Sequence, residues 1–317
     1  MKLFDAYRAS LKSLAVEEPI DVFVHRPLGF LVAKASFPTP ISPNFITLMS
    51  IFVGVGGGLM LLTNWPHKML WCGLLVFLSA VLDCADGQLA RMRKTSSAFG
   101  RMLDGTADLL VTAVVAPLSI YIVWQRHNTP TWLSVTGIVV GFLTVLTSSN
   151  HTSMYDHFKN VYLRFTQSGY TDGEDYETAL ERWKATRAEQ TWWKRISWRI
   201  YLFYVSGQRD YARKYDPWTS YRFSLFPPYD PERAAIYHKH AEPVLRVWRT
   251  FFGFGSLVFG LALFNAIDQG EIFIVYRLVV LNAIFFLYLR PAQRRASKAA
   301  FQEMGVHLPD QPETNPA

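Results

Sequence analysis

Long apolar runs, interrupted by short polar links, dominate the first half of the chain and return near its end. Six of these runs are close to the ~20 residues that a helix needs to cross a bilayer. We predict transmembrane helices over Phe45–Thr63, Lys68–Arg91, Phe99–Gln125, Trp132–Ser149, Val247–Ile267 and Ile272–Leu289. The pattern therefore indicates an all-α integral membrane protein with six spans.

The polar stretches between these runs give the predicted organisation of the chain. Its parts are an interfacial amphipathic N-terminal region (1–44), transmembrane helices one to four (45–154), a cytoplasmic helical insertion (155–242), helices five and six (243–291) and a cytoplasmic tail (292–317). Within the insertion, Trp192–Val205 (WWKRISWRIYLFYV) mixes aromatic and cationic residues as a membrane interface favours. The insertion is either a connector without chemistry or a part that holds a substrate. Charged residues interrupt the N-terminal region, so we expect no cleaved signal peptide.

Basic residues near the ends of the apolar runs predict the orientation. They precede the first run, fill the link between the second and third (Arg91, Arg93, Lys94, Arg101) and follow the last. Both termini and this link are therefore expected in the cytoplasm. The net charge of +7 suits anionic lipid surfaces. No nucleic-acid recognition module is visible in the sequence, which disfavours nucleic acid as a partner.

Four aspartates lie at helical spacing in the second and third runs. A carboxylate within a membrane segment is costly and marks a candidate functional site. Asp83 and Asp86 are three residues apart, and Asp104 and Asp108 are four apart. If the two helices pack antiparallel across the link 92–98, all four carboxylates converge. Clustered carboxylate oxygens suit Mg²⁺, Mn²⁺ or Ca²⁺, so the spacing predicts a divalent-metal site.

Small residues and one arginine complete the pattern. Gly87, Ala90 and Gly100 carry little or no side chain, which allows a ligand to approach the backbone. Arg91 offers a planar cationic fork to phosphate oxygens. Metal ligands beside such a cation are typical of a site for phosphoryl or pyrophosphate chemistry.

The stretch 83–108 (DCADGQLARMRKTSSAFGRMLDGTAD) resembles the signature of the CDP-alcohol phosphotransferases, also called CDP-alcohol phosphatidyltransferases. That signature is D-x2-D-G-x2-A-R-x8-G-x3-D-x3-D, and the chain matches it at every fixed position. Upstream, Ser42–Thr47 (SPNFIT) resembles the P-N-x-x-T pattern that often precedes the first membrane helix in this family. The resemblance covers about residues 20–154 and the last two apolar runs. The insertion is not explained by it.

The resemblance implies transfer of a phosphatidyl or other substituted phosphate group from a CDP-linked donor, with CDP-diacylglycerol as first candidate, to an acceptor alcohol. CMP is released, and the reaction belongs to phospholipid synthesis. The implied cofactor is Mg²⁺ or Mn²⁺ in a two-metal site. The implied metal ligands are Asp83, Asp86, Asp104 and Asp108, with Asp108 also the general base. The implied donor contacts are Asp83, Gly87, Ala90, Arg91 and Gly100, with Arg91 neutralising phosphate charge.

Three other functions stay open at this point. The first is transfer of a CDP-linked headgroup to a lipid alcohol. The second is a cation transporter with carboxylates along its path, although this does not explain the small residues and Arg91. The third is an inactive scaffold, whose mark would be a missing aspartate, and all four are present.

Two further features have paired interpretations. Arg246 and Arg249, near the start of the fifth run, either grip a phosphate of the acceptor or anchor the helix to lipid headgroups. The G-x-x-x-G spacing of Gly54 and Gly58 favours close helix packing inside the subunit over a dimer contact, and leaves a homodimer open.

Overall fold

The computed structural model describes residues 7–8, 10–11, 13–95, 98–126, 131–170 and 173–306. Within these ranges, the side chains of residues 98–106, 131–134, 189 and 193 are not described. The described chain forms helices and no β-strand, which confirms the all-α class. Its α-helices are α1 (Arg26–Ser36), α2 (Pro43–Met60), α3 (Lys68–Arg93), α4 (Ala98–Arg126), α5 (Thr131–Thr166), α6 (Tyr176–Thr186), α7 (Trp192–Tyr215), α8 (Pro231–Val247), α9 (Phe254–Ala266), α10 (Gly270–Val275), α11 (Leu281–Ile284) and α12 (Arg290–Glu303).

Short helical turns of other types join these elements. Turns of 3₁₀-helix cover Arg187–Glu189, Pro217–Thr219 and Phe223–Leu225. Turns of π-helix cover Asp21–His25, Trp248–Phe252, Tyr276–Val280 and Phe285–Leu289. The last two π turns join α10, α11 and α12 into one helical rod.

Five helical stretches among the described residues are long and apolar enough to cross a membrane. They are Pro43–Met60, Lys68–Arg93, Ala107–Arg126, Pro231–Ala266 and Gly270–Glu303. Each contains all or most of one predicted span, and together they indicate a multi-pass integral membrane protein. The predicted fourth span, Trp132–Ser149, lies within α5 and is not among the five, so the count of six stays a prediction.

The chain divides into two compact units. Unit 1 consists of Met1–Ser149 and Arg249–Asn282, and unit 2 consists of Asn150–Trp248 and Ala283–Ala317. Unit 1 holds both halves of the aspartate pattern. Unit 2 holds the whole of the polar insertion (155–242).

Glycines let the helices of unit 1 approach closely. A Cβ atom on Gly54 would lie 2.6 Å from Ser79 Oγ, and one on Gly58 would lie 2.9 Å from a methyl group of Val114. Both glycines therefore face other helices of the same subunit, as the sequence predicts. The Ser79 hydroxyl also donates a hydrogen bond of 2.7 Å to the Ser50 carbonyl, so α2 and α3 are joined by polar as well as apolar contacts.

Within unit 1, a buried carboxylate fixes the N-terminal segment to the start of α9. Glu18 accepts hydrogen bonds from the backbone N–H groups of Gly255 (3.0 Å) and Ser256 (2.8 Å), at the start of α9. A carboxylate at this position satisfies amide donors that the helix leaves unpaired. A Cβ on Gly253 would lie 2.0 Å from the Glu18 carboxyl carbon, so a side chain at position 253 would displace this carboxylate from its backbone donors.

The core of unit 2 is rich in aromatic residues and contains a buried acid, Asp216. Asp216 is fully buried and accepts hydrogen bonds from Ser297 Oγ (2.5 Å) and Gln293 Nε2 (3.2 Å). Gln293 in turn accepts from the indole N–H of Trp248 at 3.1 Å. Burial raises the pKa of Asp216 to about 6, although the hydrogen bonds from Ser297 and Gln293 oppose the shift.

Candidate active site

The first half of the aspartate pattern lies on the last three turns of α3. Positions three and four apart share one face of a helix, so Asp83, Asp86 and Gly87 lie together, with Arg91 one turn further on. Asp83 is half-buried, and Asp86 is only 4% exposed. The helix ends at Arg93, where Lys94 adopts a left-handed conformation (φ 56°) and its N–H returns to the carbonyls of Ala90 and Arg91.

Thr47 holds the buried carboxylate of Asp86. The Thr47 hydroxyl donates to Asp86 Oδ2 in a short contact. Thr47 lies one turn into α2, whose first residue is Pro43 and whose N-cap Ser42 accepts from the N–H of Phe45 at 3.2 Å. The S-P-N-F-I-T stretch therefore begins a helix and places a hydroxyl against a motif aspartate.

The N-terminal segment holds Arg91. Arg91 Nε donates to the backbone carbonyl of Ser10 at 2.6 Å, and Gln88 Nε2 donates to the Ser10 hydroxyl at 3.1 Å. Ser10 and Gln88 are almost fully buried. A Cβ on Gly87 would lie 3.3 Å from Arg91 Nη1, a tighter contact than most side chains make. Gly87 therefore leaves room for the guanidinium group itself, in addition to its predicted role beside a nucleotide.

A second arginine lies within electrostatic reach of the motif. Arg26 is 8% exposed and pairs with Glu17 at 2.9 Å, and Glu17 is equally buried. Burial lowers the pKa of Arg26, but nearby charges that include Glu17, Asp21 and Asp83 outweigh it and raise that pKa above its usual range. Arg26 thus contributes positive charge to the Asp83 side of α3.

The second half of the pattern lies on α4. Asp108 is half-buried next to the buried Ala107. Gly100 and Asp104 belong to the same helix, but their side chains lie outside the described residues. Among the side chains that are described, no three from His, Cys, Asp and Glu come close enough to hold a metal ion. The convergence of four carboxylates needs Asp104 and stays a prediction.

The two arginines predicted to bind the acceptor have separate partners. Arg246 is exposed at the end of α8 and forms an ion pair of 3.0 Å with Glu242, one turn earlier. Arg249 donates to the backbone carbonyls of Leu14 (2.8 Å) and Ala15 (2.9 Å). Arg246 belongs to unit 2 and Arg249 to unit 1.

The part of the chain that contains the aspartate pattern matches a known protein family. Residues 40–166 match the family model described as CDP-alcohol phosphatidyltransferase. Residues 40–166 are a CDP-alcohol phosphatidyltransferase domain. This domain begins just before α2, includes the whole pattern from Asp83 to Asp108 and ends with α5. The resemblance that the motif suggested is therefore confirmed.

Curated relatives of the chain carry phospholipid-synthesis names. The chain is 36% identical over 77 residues to a phosphatidylinositol phosphate synthase of Corynebacterium glutamicum, covering 24% of this chain and 34% of the relative. It is 26% identical over 125 residues to a phosphatidylinositol phosphate synthase of Mycobacteroides abscessus, covering 39% of this chain and 52% of the relative. It is 32% identical over 84 residues to a CDP-diacylglycerol–serine O-phosphatidyltransferase of Helicobacter pylori, covering 26% of this chain and 34% of the relative. The chain thus spans about half the length of these relatives or less.

The donor set of the CDP-alcohol phosphatidyltransferase domain suits a divalent cation. This family generally uses divalent metal ions. Asp83 and Asp86 offer hard oxygen donors one helical turn apart, and Asp86 is a buried carboxylate. A buried carboxylate that stays ionised is stabilised by hydrogen-bond donors and by a nearby cation, which compensate for its lost hydration. Thr47 is such a donor, and Mg²⁺ or Mn²⁺ bound by Asp83 and Asp86 would be such a cation.

Several residues that shape this site are not predicted by the sequence pattern. Thr47 closes the P-N-x-x-T pattern, so the sequence did contain a signal for it, although its partner Asp86 lies 39 residues away. Ser10, Gln88 and Arg26 gave no such signal, because their roles depend on a contact between distant segments that spacing does not encode.

Proposed function

We propose that the protein is a membrane-embedded CDP-alcohol phosphotransferase that moves a phosphatidyl group from CDP-diacylglycerol to the hydroxyl of an acceptor alcohol and releases CMP. The observation that carries this proposal is the complete eight-position pattern inside the matched domain, with its buried carboxylate, Asp86, hydrogen-bonded by Thr47. A transporter or an inactive scaffold would need neither the arginine nor the small residues at those positions.

The residues of the pattern divide the chemistry between them. The acceptor oxygen bonds to the phosphorus distal to cytidine, the bond to the CMP oxygen breaks, and CMP leaves with the electron pair. Asp108 accepts the proton of the acceptor hydroxyl. Arg91 binds phosphate oxygens of the donor, and its contact with Ser10 orients the guanidinium group.

The remaining aspartates are the proposed metal ligands. Asp83, Asp86 and Asp104 would hold the Mg²⁺ or Mn²⁺ ions, with Asp108 contributing to one of them. A bound divalent ion supplies charge neutralisation at the phosphate and acidifies the attacking hydroxyl. Thr47 keeps the Asp86 carboxylate oriented for this role.

The names of the relatives favour phosphatidyl transfer over transfer of a CDP-linked headgroup. One relative is named as a phosphatidyltransferase that uses CDP-diacylglycerol, and another is named as a synthase of a phosphatidyl lipid. Two of the three relatives described above are phosphatidylinositol phosphate synthases, which makes a phosphorylated polyol the first acceptor to test. Arg246 and Arg249 stay the proposed acceptor contacts. The acceptor phosphate would compete with Glu242 for Arg246.

The proposed site faces the cytoplasm, as do both termini. This rests on the basic residues at the α3–α4 link, which include Arg93 and Lys94. A water-soluble acceptor would then reach the site from the cytosol, while the lipid-linked donor arrives from the bilayer.

The direct test is CMP release by the purified protein in detergent or nanodiscs. CDP-diacylglycerol is offered with inositol phosphate, glycerol phosphate or serine, and CDP-choline is offered separately with diacylglycerol. We expect CMP only with CDP-diacylglycerol and one acceptor, with Mg²⁺ or Mn²⁺ present.

Asp83→Asn and Asp104→Asn should abolish this activity without unfolding the protein, because each removes a full charge and a ligand. Asp210→Asn, at an exposed carboxylate in unit 2, is the matched control and should stay active. CMP release in EDTA, or from either motif variant at the control rate, contradicts the proposal.

A further inference from the structure

Helix α7 (Trp192–Tyr215) presents two opposite faces. One face is buried in unit 2 through Val205, Gln208 and Ala212, which are at most 8% exposed. Gln208 Nε2 also donates to the Ser153 carbonyl at 2.9 Å, so this face is fixed by polar as well as apolar contacts. The orientation of the helix is therefore set, and its other face is turned outward.

The outward face of α7 carries a row of large apolar side chains. Trp192, Ile196, Ile200 and Phe203 follow one another at spacings of four, four and three residues, and this spacing keeps them on one side of a helix. Their exposed fractions are 59%, 44%, 53% and 81%. The row extends roughly 17 Å along the helix. Single exposed apolar residues are ordinary, but a continuous row marks a binding surface.

Two arginines border this row. Arg195 and Arg199 are exposed and lie one turn apart, each beside the apolar row. Among the described side chains, neither takes part in a salt bridge. An apolar face with cations along its edge is the arrangement that binds the headgroup region of an anionic bilayer.

We propose that the outward face of α7 lies in the headgroup region of an anionic membrane, with its apolar row inserted and the two arginines on lipid phosphates. Among the described residues, two of the five stretches able to cross a membrane, Pro231–Ala266 and Gly270–Glu303, include residues of unit 2, so this unit is attached directly to membrane-spanning helices. A second copy of the chain fits this surface less well. An antiparallel two-fold contact through this row would bring the arginine edges of both copies together.

The test uses the full chain in nanodiscs, with a bimane fluorophore on Phe203→Cys. A matched label on Glu181→Cys, an exposed site on α6 in the same unit, is the control. The unsubstituted chain, with Cys72 and Cys84, measures background labelling. We expect brominated lipids to quench the label at 203 several times more than the label at 181. Iodide in the buffer should show the reverse preference.

A second measurement isolates the arginines. Quenching of the label at 203 by brominated lipid should be stronger in nanodiscs with phosphatidylglycerol than in phosphatidylcholine alone. The charge reversal Arg195→Glu with Arg199→Glu should remove this difference. Thermal unfolding in detergent checks that each variant is folded. Equal quenching at 203 and 181, or a disulfide that joins two copies of the unlabelled Phe203→Cys variant through the introduced thiols, overturns the proposal.

Discussion

Replacing Thr47 by Val tests whether a hydroxyl on α2 tunes the proposed metal site. Valine keeps the β-branched shape but removes the donor to Asp86. A hydrogen bond to a charged group contributes about 1.5–3 kcal/mol, and each 1.4 kcal/mol is a factor of ten, so the loss corresponds to roughly 10- to 150-fold. Loss of an outer-shell partner of a metal ligand costs about 10- to 100-fold in metal affinity. The two values agree.

The expected result is a shift of the metal dependence rather than a loss of the reaction. Free Mn²⁺ measured by electron paramagnetic resonance gives the affinity directly, and CMP release at increasing Mn²⁺ gives the concentration for half-maximal rate. The Mn²⁺ dissociation constant and the Mn²⁺ concentration for half-maximal rate should both rise by roughly one to two orders of magnitude in Thr47→Val, and the rate at saturating Mn²⁺ should approach the wild-type value. Thr47→Ser keeps the hydroxyl and should restore most of the affinity.

The matched control is Thr147→Val, the same substitution where the hydroxyl donates to the Leu143 carbonyl of its own helix at 2.8 Å. That variant should bind Mn²⁺ like the wild type. Equal affinities for the two valine variants would refute the reasoning. So would a Thr47→Ser variant as weak as Thr47→Val, because Thr47 would then act through packing alone.

Three further outcomes are expected. Cysteines placed at Lys94 and at Asp268 should react with impermeant labels from opposite sides of the membrane, and labelling from one side would contradict the topology. Arg249→Ala should raise the acceptor KM roughly 10- to 100-fold and leave the donor KM unchanged. If only the thermal stability in detergent falls, the role of Arg249 is instead to hold the N-terminal segment through the Leu14 and Ala15 carbonyls. The pKa of Asp216 is raised from 3.8 to about 6, so its contribution to stability is complete below pH 3.8 and is lost as the pH rises through 6. The unfolding free energy of wild type minus that of Asp216→Asn should therefore fall by roughly 3 kcal/mol over that range, and a constant difference would exclude the shift.

The parts of the fold that the sequence predicts are those with strong local periodicity. The spans that contain Asp83 and Asp108 follow from apolar runs interrupted by charged links, and the structure has helices there. The extent of the helices is harder to predict. Helix α5 runs for 36 residues, roughly 54 Å, which is longer than a bilayer requires. The predicted fourth span ends at Ser149, where the apolar run ends, but α5 continues to Thr166.

The site divides in the same way. Asp83, Asp86 and Arg91 could be predicted because one helix carries them at fixed spacing. The groups that hold them, Thr47 and Ser10, come from segments 39 and 81 residues away, and such contacts depend on tertiary packing. Motif spacing identifies the candidate site residues more readily than the residues that orient them.

The division of the chain into units has a consequence for biosynthesis. Neither unit is a continuous stretch, because residues 249–282 complete unit 1 and residues after 282 complete unit 2. Asp216 and its partner Ser297 are 81 residues apart, so a ribosome adding about 5–20 residues per second needs about 4–16 s to supply that partner. A nascent chain stalled in this interval has an acidic residue of unit 2 without the hydroxyl that completes its burial. Synthesis of α12 is thus the event that supplies the hydroxyl partner of Asp216 and allows unit 2 to close around this acid.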